Sequence, residues 1–262
     1  MSNGQILFTA AGSLGAAILF AVLGFSLWAR DYPRDLQGVG RAYALWWLMV
    51  GAMGFTDGLR ILQGLAAEPS AATYLLLVRL KIVVTAVAVW GLAYYVVYLW
   101  TGRPRVKWPL AAFAAAHAVV FLVLVERRLP ARIDMQDGYW VPRLVLQSPA
   151  TLPVLGALGA LLFFLPPLIL AGAYLLLWRR LHDRTQRSRV LAVSITLIVF
   201  FLAASVQFDV RTPGDSPLIP ALAVVNLAAA LAAFLIYHPP AWLQRRMAIQ
   251  DLERGPGRPT RL

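Results

Sequence analysis

The sequence predicts an all-α membrane protein: a seven-transmembrane helix bundle with its N-terminus outside and its C-terminus in the cytoplasm. Three observations carry that prediction. Of the 262 residues, 60% are hydrophobic and 14% are charged, with a mean hydropathy of +0.68, whereas soluble domains average roughly 45–50% apolar and about 25% charged. The apolar residues gather into seven runs, each close to the roughly 20 residues that cross about 30 Å of hydrocarbon. The basic residues lie between those runs and alternate in density from one connection to the next.

The first run, 5–29, has no basic stretch before it and is followed by Arg30, so it reads as an inserted helix and not as a cleaved signal peptide. The second, 42–65, opens with Ala44-Leu45-Trp46-Trp47 and carries Asp57 and Arg60. The third, 73–100, carries Arg79 and Lys81, and the fourth, 108–125, carries His117. A long connection, Glu126–Thr151, contains Asp137, Tyr139 and Trp140. The fifth run, 152–178, has Pro166 and Pro167 in mid-span, where a bend is expected because proline cannot donate the helical hydrogen bond. The sixth, 190–208, ends beside Gln207 and Asp209. The seventh, 217–237, has Pro220 in its first turn, where proline is tolerated, and Asn226 inside. These runs make up a transmembrane domain over 1–240. Residues 241–262 read as a basic cytoplasmic tail that ends in the disorder-prone Gly255-Pro256-Gly257-Arg258-Pro259.

Four alternate segments, 30–41, 101–107, 179–189 and the tail, hold 16 of the 24 basic residues, while 66–72 holds none. By the positive-inside rule those four are cytoplasmic, which implies a multi-pass protein of the cell (inner) membrane. Trp28, Trp46, Trp47, Trp100, Trp108 and Trp178 fall near the same ends, as an interfacial belt would. The net charge of +12 is therefore assigned to helix ends at a bilayer and not to a nucleic-acid surface.

Catalytic and cofactor signatures are lacking. The chain has no cysteine, which excludes disulfides, thiolate metal sites and iron–sulfur clusters. Its three histidines, His117, His182 and His238, are scattered, and no HExxH, GxSxG or Walker sequence occurs in a fitting context. The seventh run has no lysine for a retinal Schiff base. No metal, cofactor or catalytic residue is assigned, and an enzyme is not expected.

Ionisable residues inside the runs are the informative ones, because charge in hydrocarbon is costly and is usually partnered. Asp57 and Arg60 are one turn apart on one face. Counted from the ends of the second and third runs, Asp57, Arg79 and Lys81 lie at nearly one depth, within a few ångströms at about 1.5 Å per residue. Asp57 can then pair across the hairpin with Arg79 or Lys81, but not equally with both, since positions two apart differ by about 200° around a helix. Lys81 shares its face with Thr85, Ala88 and Tyr95 and is expected to point inward, with Arg79 paired elsewhere or snorkelling. Asp57, Arg60, Arg79, Lys81, Gln207 and Asp209 are the candidate ligand-binding residues. Bases outnumber acids among them, so the expected ligand is a small or amphiphilic anion. The bland reading of the same residues is an ion-pair network that fixes helix register.

Several local features resemble the seven-transmembrane N-terminal sensor region of bacterial histidine kinases. They are Val78-Arg79-Leu80-Lys81, the exit Tyr98-Leu99-Trp100-Thr101-Gly102-Arg103, the tryptophans at 46–47 and the basic linker from Trp178 to Arg189. The resemblance implies a receptor-like sensor without an output domain that signals through a separate partner. Two alternatives stand beside it: a structural or accessory subunit of a larger membrane complex, and a small-solute transporter with Asp57 and Lys81 as coupling groups. The lipid bilayer is the one partner common to all three.

Overall fold

The computed structural model describes residues 3–68, 70–128, 131–136, 139–144, 165–180 and 218–241, together with scattered positions between 187 and 199. Helix α1 (Asn3–Trp28) contains neither a proline nor an ionisable side chain, so its backbone groups are satisfied within the helix, as lipid requires. Helix α2 (Gln37–Leu62) returns along it. Gly24 faces Leu48, Gly51 faces Ala17 and Ala21, Gly54 faces Ser13 and Ala17, and Gly58 faces Leu14. The numbers fall on α1 as they rise on α2, so the pair is antiparallel over its whole length. A Cβ at Gly51 would sit 2.9 Å from both the Ala17 carbonyl oxygen and the Ala21 nitrogen. Only glycine permits that approach, and between helices in lipid it is close packing that supplies the attraction.

A 3-10 turn (Gln63–Leu65) leads from α2 toward helix α3 (Ala71–Thr101). The Ser70 hydroxyl caps α3 by accepting a hydrogen bond from the Thr73 N–H at 3.3 Å. Gly102, at φ 63°, closes α3 in the left-handed conformation, and its N–H donates to the Tyr98 carbonyl at 2.8 Å. Helix α4 (Lys107–Arg128) packs on α3, and helix α5 (Leu165–Arg180) meets α3 at Tyr95 and Tyr174. Helix α6 (Leu218–Tyr237) lies parallel to α1, with Ala223 against Gly12, Leu227 against Gly15 and His238 bonded to Ser26. The core between these helices is built on Phe20, Leu23, Trp46, Trp47, Val50 and Leu92, all essentially inaccessible.

The bundle has two unlike ends. At one end, α1, α3, α5 and α6 finish while α2 and α4 begin, and Arg30, Arg34, Arg41, Arg103, Arg105, Lys107 and Arg179 gather there. At the other end lies an antiparallel hairpin, β1 (Ala131–Gln136) and β2 (Tyr139–Leu144), with Ala131 opposite Leu144 and Gln136 opposite Tyr139. Strand β2 runs beside the Gln63–Leu65 turn and β1 beside α3.

The architecture corrects the seven-helix expectation. The chain is an all-α multi-pass membrane protein with six α-helices among the described residues. Four of them are long and apolar enough to cross a membrane: Asn3–Trp28, Ala71–Tyr98, Pro104–Val123 and Pro220–Tyr237. Helix α2 has the length, at 26 residues. However, Tyr43, Trp46, Trp47, five glycines and Asp57 dilute its apolarity, and it is instead covered by α1 and α3. The fifth run is described only from Leu165, so the segment before Pro166-Pro167, and with it the expected bend, lies outside the described residues. Most of the sixth run and the tail also lie outside them.

The tryptophan belt is corrected as well. Trp46 and Trp47 are each only 2% exposed and meet in the core, tilted by 52° with ring centroids 4.3 Å apart, whereas Trp28, Trp100 and Trp108 face outward.

Candidate functional site

The hairpin end of α2 and α3 holds a three-residue charge cluster. Asp57 sits a little more than one turn before the end of α2, and Lys81 lies in the third turn of α3. Because the two helices are antiparallel, the side chains meet. The Lys81 ammonium donates to both Asp57 carboxylate oxygens, at 2.7 Å (Oδ1) and 2.6 Å (Oδ2). Arg60, three residues after Asp57 on the same helix face, approaches the already engaged Oδ1 at 3.4 Å. Its guanidinium also stands over the Tyr74 ring, 5.7 Å from the centroid.

Exposure rises across the cluster, with side-chain values of 11% for Lys81, 18% for Asp57 and 28% for Arg60. The Lys81–Asp57 pair is the inner part and Arg60 is the rim. One more turn along, the Gln63 side-chain oxygen is buried with no hydrogen-bond partner among the described residues. Asp57, Arg60 and Gln63 thus form a polar stripe at i, i+3 and i+6.

Two carboxylate oxygens therefore serve two cations, and the short bonds go to lysine. This division has a chemical consequence. An arginine fork is satisfied best by two parallel bonds to one anion, and Asp57 cannot offer them while Lys81 bridges both of its oxygens. Arg60 is left with one longer contact to Asp57, and it meets both the ring and the hydroxyl of Tyr74.

The structure brings Asp57, Arg60 and Lys81 together. Arg79 lies half-buried on α3, and Asp57 takes Lys81 and Arg60 as its cations, not Arg79. Thr85, one turn beyond Lys81, donates back to the Lys81 carbonyl at 2.7 Å. Gln207 and Asp209 lie outside the described residues, as do Asp137 and the side chains of Tyr139 and Trp140.

A second cluster, at the arginine-bearing end, was not singled out by the sequence reading. Tyr43 of α2, Tyr95 of α3, Tyr174 of α5 and Tyr237 of α6 converge there. The Tyr43 and Tyr237 hydroxyls are 2.6 Å apart, the Tyr174 hydroxyl donates to that of Tyr95 at 3.3 Å, and the Tyr43 and Tyr95 rings stack at 4.3 Å. A signal was present: Tyr43, Tyr95 and Tyr174 each lie six residues inside the end of a helix that terminates at this face. Close by, Ser26 gives its only proton to the Leu23 carbonyl at 2.7 Å, so its 2.7 Å bond to His238 is donated by the imidazole Nε2–H. This bond ties the ends of α1 and α6.

His117 is buried on α4 between Phe113 and Phe121, stacked on the latter at 5.3 Å, and Asn226 is buried on α6. Among the described residues no group of three metal-ligating side chains is present.

No protein-family model matches the sequence, and no curated protein matches it. With four candidate spans among the described residues in place of seven, the resemblance to the seven-transmembrane sensor region of histidine kinases is not upheld. The receptor and sensor roles that the resemblance implies fall with it. What stands is a multi-pass helical membrane protein with a charge cluster at one end.

Proposed function

We propose that the chain is a non-enzymatic membrane protein that binds a small or amphiphilic anion at the hairpin end of α2 and α3, with Arg60 as the principal contact. The observation that carries this reading is the unequal division of Asp57. Lys81 holds both carboxylate oxygens at 2.6–2.7 Å, while Arg60 has a single 3.4 Å contact to one of them and is 28% exposed. A cation held at the edge of an apolar bundle is costly unless it is paired. A carboxylate or phosphate group would satisfy its fork in the bidentate manner that Asp57 cannot. The Gln63 oxygen one turn away, without a hydrogen-bond partner among the described residues, offers an acceptor to a ligand hydroxyl or amide. In this reading Gln207, Asp209 and Arg79 complete the surroundings of the anion. The basic ends of the helices face the cytoplasm of a cell whose inner membrane holds the protein.

A thermal-stability series on the purified chain tests the site. Acetate, octanoate, inorganic phosphate and octyl phosphate are the probes. At least one anion should stabilise the wild type, with the alkyl forms outperforming the parent ions, and Arg60→Gln should abolish that gain without lowering the ligand-free midpoint by more than a few degrees. Equal shifts in wild type and Arg60→Gln for every anion would sink the proposal.

A second reading draws on the closure of the Lys81–Asp57 pair itself. In an accessory subunit the pair would serve only to fix the register of α2 against α3. The same series separates the two, because a register pin predicts no anion dependence at all. A solute transporter has no observation of its own to favour it.

A further inference from the structure

The turn between α3 and α4, at the opposite end from the charge cluster, combines features that point to a ligand of the bilayer itself. Within five residues it presents Arg103, Arg105 and Lys107, with no acidic residue between Trp100 and Trp108. The two tryptophans that frame it are among the most outward-facing large side chains described, 66% exposed at Trp100 and 70% at Trp108. Arg103 and Arg105 are exposed, and the described residues give neither a carboxylate partner. The Lys107 ammonium stands over the Trp108 ring at 5.3 Å.

The turn is also held in place. Gly102, in the left-handed conformation, donates to the Tyr98 carbonyl at 2.8 Å, and the Arg103 N–H donates to the Thr101 hydroxyl at 3.3 Å. On the other flank the Trp90 indole N–H donates to the Lys107 carbonyl at 3.0 Å. Pro104 removes one further backbone freedom. Three cations are therefore displayed from a braced loop with little ordering left to be done on binding.

We propose that this turn is a binding site for the headgroup of an anionic phospholipid. The indoles of Trp100 and Trp108 would lie at the boundary between acyl chains and headgroups, where amphipathic rings settle. The phosphate would be taken by Arg103, Arg105 and Lys107. The chemistry fits a lipid better than a free anion, because both tryptophans are at the rim of apolar helices and have no aqueous role. The inference is independent of the Arg60 site, since it involves the other end of the bundle and none of the same residues.

Spin-labelled lipids test it in the intact protein. The chain is reconstituted in phosphatidylcholine bilayers, and the relative association of labelled phosphatidylglycerol and labelled phosphatidylcholine with the protein is measured. The wild type should prefer phosphatidylglycerol by about fivefold or more, the worth of at least one cation near an anionic surface. The triple variant Arg103→Gln/Arg105→Gln/Lys107→Gln should lose most of that preference. A charge-matched variant in the tail, Arg254→Gln/Arg258→Gln/Arg261→Gln, should keep it. Equal loss in the two variants would show a diffuse charge effect and overturn the site, as would a wild type with no preference. If the triple variant fails to fold, Lys107→Gln alone carries the test, with a fall of about fivefold expected and an unchanged preference overturning the assignment. Inorganic phosphate at millimolar concentration should not compete; full competition would assign the turn to a soluble anion instead.

Discussion

Asp57 accepts both of its short bonds from one ammonium, at 2.7 and 2.6 Å, and admits Arg60 only at 3.4 Å on an oxygen already in use. The energetics of such a pair are set by what remains when one partner goes. Asp57→Asn removes the carboxylate that holds Lys81, only 11% exposed, and breaking a pair this shielded costs about 3 kcal/mol. Lys81→Met should cost less, because Arg60, already 3.4 Å from Oδ1, remains as a counter-charge for the carboxylate. The double variant should cost clearly less than the two together, with a coupling of about 1–3 kcal/mol. Unfolding titrations of the three variants in one detergent check this, and strict additivity would show that the pair does not hold the hairpin. The meeting of Asp57 with Lys81 was legible in the sequence, because equal depth on adjacent antiparallel helices and the mixed polar face of Lys81 both pointed to it. The unequal share of Arg60 was not legible: it depends on side-chain reach, which spacing does not encode.

At the scale of elements, the α1–α2 pair depends on backbone approach and not on charge. Gly51→Ala places a Cβ 2.9 Å from backbone atoms of Ala17 and Ala21, which cannot move without separating the helices. It should destabilise by about 1–3 kcal/mol, as overpacking does. Gly15→Ala should be nearly neutral, since its Cβ would meet only the Leu227 Cδ1 methyl, at 3.2 Å, at the end of a side chain that can rotate. Comparable losses from the two variants would refute the close-packed interface. Helix α2 also shows where composition misleads. The run was legible as helix, but its rings were read as an interfacial belt, and the structure buries Trp46 and Trp47 in the core. Tryptophans near a helix end look alike in sequence whether they face lipid or a neighbour, because only packing distinguishes the two. The β1–β2 hairpin went unread for another reason. Its register leaves Asp137 and Gly138 between the strands, a dipeptide favoured in two-residue connections, yet the arginines and acids around it read as a loop.

For the whole molecule, membrane insertion and helical class followed from composition, while the number of spans did not. Hydropathy counts apolar runs, and a helix such as α2 that is covered by its neighbours need not be apolar all round. The two ends differ chemically, with tyrosine hydroxyls and arginines at one and the Asp57 cluster at the other, and this asymmetry has a topological test. The chain has no cysteine, so single cysteines at Glu68 and Arg34, both exposed and at opposite ends, can be labelled cleanly. An impermeant maleimide applied to intact cells should label Glu68→Cys, and should label Arg34→Cys only after permeabilisation; the reverse pattern would invert the orientation. Whether Arg60 holds an anion is tested most directly by equilibrium binding of radiolabelled octyl phosphate to the purified chain. An anion on Arg60 predicts saturable binding in the wild type, weakened at least tenfold in Arg60→Gln and only partly restored in Arg60→Lys. Binding of equal strength in wild type and Arg60→Gln, or no saturable binding in either, would contradict it.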